Sequence, residues 1–282
     1  MTEDPSRVVP RKKLPSRCPR AIHNSMSVCL LVSALWFAPW LKADEADRAT
    51  TNAAEQLIAR VLPVPQAAQI KIEQVPAENG KDVFEIESEE EKIVLRGNNG
   101  VSIALALNRY LKDYCHCDIS WNCGNQLDLP NRLPLVPNKI RVIIPYKYRY
   151  AYNYCTHGYT MAWWDWPRWQ QELDFLALSG VNLALIIEGQ ETVWVNTLKT
   201  LGYTEAESRQ WLVLPSHQPW MYMSNLEGYG GPVPEELIRR RLELGQRIVA
   251  RMRELGMRGG LLQPDDPLLE QGPTLVDQRV RA

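Results

Sequence analysis

No surplus of charge draws this chain toward nucleic acid. Its 32 Lys and Arg face 33 Asp and Glu, a net charge of −1 over 282 residues, and a near-neutral surface lacks the basic footprint that phosphate backbones require. No apolar run reaches the roughly 20 residues of a spanning helix; residues 28–40 are the longest candidate and fall short. No Cys-x-x-Cys pair occurs, so Cys115-His116-Cys117 with Cys123 does not match the usual zinc spacing and no metal is expected. No phosphate cradle is present either: Gly97-Asn98-Asn99-Gly100 lacks the P-loop lysine and the three-glycine spacing, and reads as a turn before a helix. Phenylalanine is scarce, 3 residues against 10 Trp and 11 Tyr. Rings with an apolar body and a polar tip favour contact surfaces that are partly wet.

What is present divides into four stretches. Residues 1–43 read as an export segment, with Arg11, Lys12, Lys13, Arg17 and Arg20 as its basic region, a short apolar run, and Leu41-Lys42-Ala43 before acidic Asp44-Glu45. An uncleaved amphipathic anchor is the competing reading. The mature chain is then expected outside the cytoplasm, without a membrane span, where Cys115, Cys117 and Cys123 are permitted disulfides. Residues 44–145 read as a small α+β domain. A helix is expected over 50–60, strands over 69–74, 82–87 and 92–96, a turn at Asn79-Gly80, and a helix over 101–114 with Ile103, Leu107, Tyr110 and Leu111 on one face. Glu89, Glu90 and Glu91 read as a solvated hairpin tip, and the three prolines within 128–137 as a linker.

Residues 149–187 form a βαβ pattern. A Tyr-rich strand over 149–155 leads into an aromatic loop with Trp163, Trp164, Asp165 and Trp166. Pro167 suits the first turn of a helix, Trp169, Leu173, Leu176 and Ala177 give it an apolar face, and Gly180 ends it. The apolar run 181–187 is what a parallel strand covered on both faces requires. Strand, helix and parallel strand fit a barrel or a doubly wound sheet; the missing Gly-rich loop speaks against the second. A further helix is expected over 234–256, with Ile238, Leu242, Val249, Met252 and Leu255 as its stripe and Arg239, Arg240, Arg241, Arg247, Arg251 and Arg253 on solvated faces.

Several motifs in one order carry a resemblance: Asn153-Tyr154-Cys155-Thr156, Trp163-Trp164-Asp165-Trp166 with Arg168-Trp169, Gly180-Val181-Asn182-Leu183-Ala184-Leu185, Gly189-Gln190-Glu191, Trp220, Met223-Ser224-Asn225-Leu226, Gly230-Gly231-Pro232-Val233-Pro234 and the run from Arg251 to Met257. Together they resemble the α-N-acetylglucosaminidases of glycoside hydrolase family 89. The resemblance implies an α/β architecture, a small α+β domain followed over 146–257 by the start of a (β/α)8 TIM barrel, truncated after two or three strands. It implies a retaining, two-glutamate hydrolysis of terminal α-linked N-acetylglucosamine from a glycan, without a cofactor. Asn153, Cys155 and Trp220 match positions that hold that sugar, with Asn153 and Cys155 expected on the same side of one strand.

Glu188 and Glu191 invite reading as the carboxylate pair. Three apart on one loop, however, they are not expected to flank a bond from opposite sides. The catalytic glutamates are expected on later strands, beyond Ala282. Residues 258–282 depart from the family pattern, and a (β/α)8 barrel takes roughly 250 residues. This chain is therefore expected to be inactive by itself, the alternative being a carbohydrate-binding or interaction remnant without catalysis.

Overall fold

The computed structural model describes residues 38–121, 124–226 and 230–259. Residues from Ala43 onward belong to one unit; of those before it, only 38–42 are described, as the opening of the first helix. The basic and apolar parts of the expected export segment, Cys123 and the tail beyond Gly259 lie outside the described residues.

No helix breaker stands between Pro39 and Pro63, and helix α1 spans Ala38–Val61, beginning upstream of the expected Thr50. A single turn, α2 (Val64–Ala67), leads into β1 (Ile70–Gln74), β2 (Val83–Glu89) and β3 (Lys92–Gly97), close to the expected strands. Asn79 and Gly80 both take positive φ, 53° and 70°, which closes the turn bridged by Glu78 and Lys81. Helix α3 (Gly100–Tyr114) follows, capped by Asn99, whose side chain accepts from Ser102 N while the Ser102 hydroxyl accepts from Asn99 N. A small hairpin, β4 (Asp118–Ser120) and β5 (Gly124–Gln126), comes next. Cys115 and Cys117 are buried free thiols, so the disulfide option is corrected for these two; they fill space as small apolar residues.

A fourth strand, β6 (Ile140–Ile143), pairs antiparallel with β2 and completes a mixed sheet of order β1-β3-β2-β6, with β1 parallel to β3. Four residues after a Pro-rich stretch gave no readable period. Charges on this sheet are networked: Arg96 reaches Glu73 at 2.5 Å, Glu89 at 2.6 Å and also Glu87, while Glu85 pairs with Lys139 and Arg141.

The second half contains β7 (Tyr150–Ala151), a short α4 (Tyr154–Thr156), a π-helical turn (His157–Met161), α5 (Trp166–Leu178), β8 (Leu183–Ala184), α6 (Gln190–Thr200), α7 (Glu205–Trp211), α8 (Gln218–Tyr222), α9 (Glu235–Glu254) and β9 (Arg258–Gly259). β7, β8 and β9 are parallel and adjacent in chain order. The expected strand over 149–155 is cut to two residues, because Tyr152 takes a positive φ of 78° and turns the chain out of the sheet. Among the described residues no helix is long and apolar enough to cross a membrane.

One hydrophobic cluster runs through both halves, joining Leu57, Ile86, Leu95, Leu107 and Leu111 to Trp169, Leu173, Ile248 and Met252. Helix α3 lies at its centre, packed on β2 and β3 and on α5. Its start is held from three directions. Val101 N donates to Leu255 O at the end of α9, 2.9 Å away. A Cβ on Gly100 would lie 2.9 Å from Leu255 Cα, so only glycine permits that approach. Asp82 accepts from Asn98 Nδ2 at 3.0 Å, Asn99 Nδ2 at 2.8 Å and the Arg149 guanidinium at 2.6 Å.

Burial pushes the Asp82 carboxyl up, and the amides and Arg149 more than offset this, leaving it below the ordinary carboxylate value. A depressed folded-state pKa means that Asp82 contributes stability above its ordinary value of 3.8, lost as pH falls through the folded value. Asp82→Asn is expected to lower unfolding free energy at neutral pH by roughly 1–3 kcal/mol and to flatten the acid limb; urea titrations from pH 7 to pH 3 measure both.

Candidate functional site

Where β7 ends, local chemistry takes over from the sheet. The Tyr152 hydroxyl donates to the buried Glu172, which also accepts from Trp121 Nε1 at 2.6 Å and Arg168 at 2.9 Å. Burial first, then the Glu172 charge, pushes the Tyr152 hydroxyl far up, so it stays a donor. One residue on, Asn153 caps α4: its Oδ1 accepts from Thr156 N at 2.9 Å and Thr156 Oγ1 at 3.1 Å. Asn153 is exposed, and its side-chain oxygen is committed to the cap. Cys155 is a half-buried free thiol on the same short helix. Both residues thus sit beyond the strand rather than on one face of it, a correction caused by the turn at Tyr152.

Trp220, on α8, is far from them in sequence, yet α8 packs against both α4 and the π-helical turn. Its indole lies edge-on to Tyr159, centroids 5.1 Å apart and planes at 86°. A Cβ on Gly158 would overlap the indole outright, so the bare glycine is what lets the ring settle there. The structure therefore brings the elements carrying Asn153, Cys155 and Trp220 together at the end of the parallel strands. A separate groove of about 650 Å3, lined by Arg60, Trp121, Arg168, Gln171, Glu172 and Asp174 among others, contains none of the three. Its charged groups are already paired, Arg60 with Asp174 and Arg168 with Glu172.

Glu188 and Glu191 follow β8 and are 1% and 0% exposed. Glu191 pairs with Arg241 of α9. Glu188 Oε1 lies 3.5 Å from His157 Nδ1. Burial pushes the Glu188 carboxyl up, but His157 and Arg241 outweigh it and hold it below the ordinary value. Neither carboxylate opens onto solvent. Arg241 and Arg251, expected on solvated faces, are 6% and 5% exposed. Arg241 follows Ile238 by three and precedes Gly245 by four, so its helical phase carries the signal; Arg251 reaches Asp174 at 3.6 Å and Glu254 at 3.0 Å. The fully buried His157 had no such sequence signal, since its burial depends on the π-helical turn.

Comparison with known proteins fits this geometry. The domain family described as the α-N-acetylglucosaminidase TIM-barrel domain matches residues 149–261, and the one described as the N-terminal domain of the same enzyme matches 52–135. The chain belongs to glycoside hydrolase family 89. The α-N-acetylglucosaminidase of Homo sapiens is 37% identical over 241 residues, 84% of this chain and 32% of the human protein. A family 89 glycoside hydrolase from Clostridium perfringens, solved with 2-acetamido-1,2-dideoxynojirimycin, is 35% identical with a TM-score of 0.74, covering 85% of this chain and 28% of that one. The same clostridial enzyme, carrying two Glu-to-Gln changes and bound to its substrate GlcNAc-α-1,4-galactose, is 34% identical with a TM-score of 0.75 over 86% and 28%. This chain spans about a third of the length of these relatives.

Gly158→Val is expected to displace the indole of Trp220 while the hydrophobic cluster persists. Near-ultraviolet circular dichroism should change, with the far-ultraviolet spectrum retained; an unchanged near-ultraviolet spectrum would show that the indole does not depend on that glycine.

Proposed function

We propose that this chain supplies part of the sugar pocket of an α-N-acetylglucosaminidase, the subsite for a terminal α-linked N-acetylglucosamine. The observation that carries the reading is the packing of α8, which bears Trp220, on α4, which Asn153 caps and which contains Cys155. The chemistry suits a sugar: an amide NH2 donates to hydroxyls, an indole offers its face to the apolar side of a pyranose, and a thiol packs without competing for hydrogen bonds. In this reading residues 44–145 are the amino-terminal α+β domain and 146–257 the opening of a TIM barrel. Adjacent parallel strands in chain order support the barrel, as does a site at the ends where the βα loops emerge.

Cleavage by the retaining mechanism needs two carboxyls roughly 5 Å apart across the bond. The carboxylates after β8 are buried against His157 and Arg241. The reading therefore gives residues 1–282 binding without hydrolysis, and places the acid/base and nucleophile on glutamates outside them. The leader-like composition of residues 1–43 supports an exported location.

Titration of the 1–282 protein with N-acetylglucosamine in a calorimeter is expected to give saturable heat that Trp220→Ala removes. No turnover of 4-nitrophenyl α-N-acetylglucosaminide is expected; measurable turnover abolished by Glu188→Gln or Glu191→Gln would show that the buried pair is catalytic after all.

A further inference from the structure

Four ionisable side chains lie buried between the π-helical turn, the segment after β8 and helix α9, and have no part in the function above. His157, Glu188, Glu191 and Arg241 are between 0% and 6% exposed, and each comes from a different element. His157 opens the π-helical turn, Glu188 sits in the loop after β8, Glu191 lies in the first turn of α6, and Arg241 lies midway along α9.

Their bonds clamp the π-helical turn at both ends. At its start, His157 Nε2 meets Leu185 O at 2.8 Å while Nδ1 faces Glu188. At its end, the carbonyl of Ala162 accepts from Arg241 at 3.0 Å, and the same guanidinium is paired to Glu191. Between the two clamps lie Gly158 and Tyr159, on which Trp220 rests; Cys155 is two residues upstream. Tyr222, two residues beyond Trp220, is half-buried, with its hydroxyl enclosed and its ring stacked on Trp194. Burial and then the Glu191 charge push its hydroxyl well up, so it stays protonated beside the cluster. Two glycines permit the approach of α9: Gly189, at a φ of 87°, lies against the Leu242 backbone, and a Cβ on Gly245 would overlap Glu188 O.

Stability alone is a poor reason for such a cluster. Buried ion pairs are commonly matched or bettered by well-packed apolar residues. Here both Glu188 oxygens, Glu191 Oε2, Thr192 Oγ1 and the Tyr222 hydroxyl have no hydrogen-bond partner, which adds to the desolvation penalty. Directional bonds do what apolar packing does not: His157 to Leu185 O, and Arg241 to Ala162 O and Glu191, fix the π-helical turn relative to β8 and α9, while Glu188 acts by its charge, facing His157 Nδ1 at 3.5 Å.

We propose that His157, Glu188, Glu191 and Arg241 are positioning residues of the sugar subsite, holding the π-helical turn so that Trp220 meets Asn153 and Cys155. This rests on the assignment of those three residues to the subsite. The test uses the 1–282 protein, its Glu188→Gln and Arg241→Lys variants, and N-acetylglucosamine as probe. Glu188→Gln removes charge with little change of shape and breaks no direct hydrogen bond; Arg241→Lys keeps charge but loses the fork that holds Glu191 and Ala162 together.

Three readouts are taken: the indole N–H resonance of Trp220, assigned with Trp220→Phe, the thermal midpoint and the sugar affinity. Both variants are expected to melt cooperatively, to shift the Trp220 resonance, and to bind the sugar about tenfold more weakly. A lowered midpoint with an unmoved Trp220 resonance and unchanged affinity would reduce the cluster to a structural role and overturn the proposal. If the unsubstituted protein binds no sugar, the subsite assignment fails, and the Trp220 resonance alone still decides whether the cluster positions the ring. Should Arg241→Lys fail to fold, Glu188→Gln carries the decision by the same two outcomes.

Discussion

Everything in the described part of this protein depends on helix α3 being buried from several sides at once. Val101, Ile103, Ala106, Leu107, Tyr110 and Leu111 have no exposed surface. At roughly 25 cal/mol per Å2 of apolar surface removed from water, such a helix is a dominant source of cohesion. The same burial forbids unpaired backbone at its amino end. Asn99, Ser102 and the Leu255 carbonyl meet that demand, and in doing so join the sheet, α9 and, through Asp82 and Arg149, the first parallel strand. The mixed sheet and the parallel strands are thus tied at one point by hydrogen bonds as well as by packing.

That junction holds β7 and β8, strands of two residues each. A pair of residues cannot hold a parallel strand in place by its ladder bonds alone. β7 is anchored by Arg149, whose guanidinium reaches Gly180 O at 2.5 Å and Asp82 at 2.6 Å, and by Asn182, whose Oδ1 accepts from Arg149 N at 2.8 Å. β9 is anchored by Arg258 N donating to Asn182 O at 2.9 Å. Beyond the strand ends the chain abandons regular structure; Glu172 accepts from the Tyr152 hydroxyl on one side, and His157 and Arg241 reach the Leu185 and Ala162 carbonyls on the other. The residues proposed to meet a sugar sit on the short elements between these two buried networks, which is where a precise surface is best held.

Family membership came from motif order rather than from any single motif, and the residues that carry it are the ones whose environments the fold constrains most. Gly180 ends α5 at a φ of 76° and Gly189 starts α6 at 87°. Asn182 bridges the starts of two strands. Trp164 and Trp169 stack edge-on at 5.4 Å, with Arg168 lying 3.9 Å over the Trp164 ring. Aromatic rings of the loop are therefore largely engaged with one another. Trp163 is 62% exposed, and Tyr159, 80% exposed, meets only Trp220 among the ring contacts of the described residues.

The sequence by itself determined the elements whose signals are local. Helices α3, α5 and α9 follow from apolar residues at helical spacing, with the turn at 97–100, Pro167 and Gly180 as punctuation, and β1 to β3 follow from alternation between turns; each rests on neighbours within a few residues. Tertiary structure alone decided the rest. The end of β7 at Tyr152, the strand β6, the burial of Arg241 and Arg251, and the packing of α8 on α4 and the π-helical turn all arise from contacts between residues distant in the chain. Such contacts leave no period in the sequence, because a side chain's partner, and hence its burial and charge state, is chosen only when separate elements close on one another.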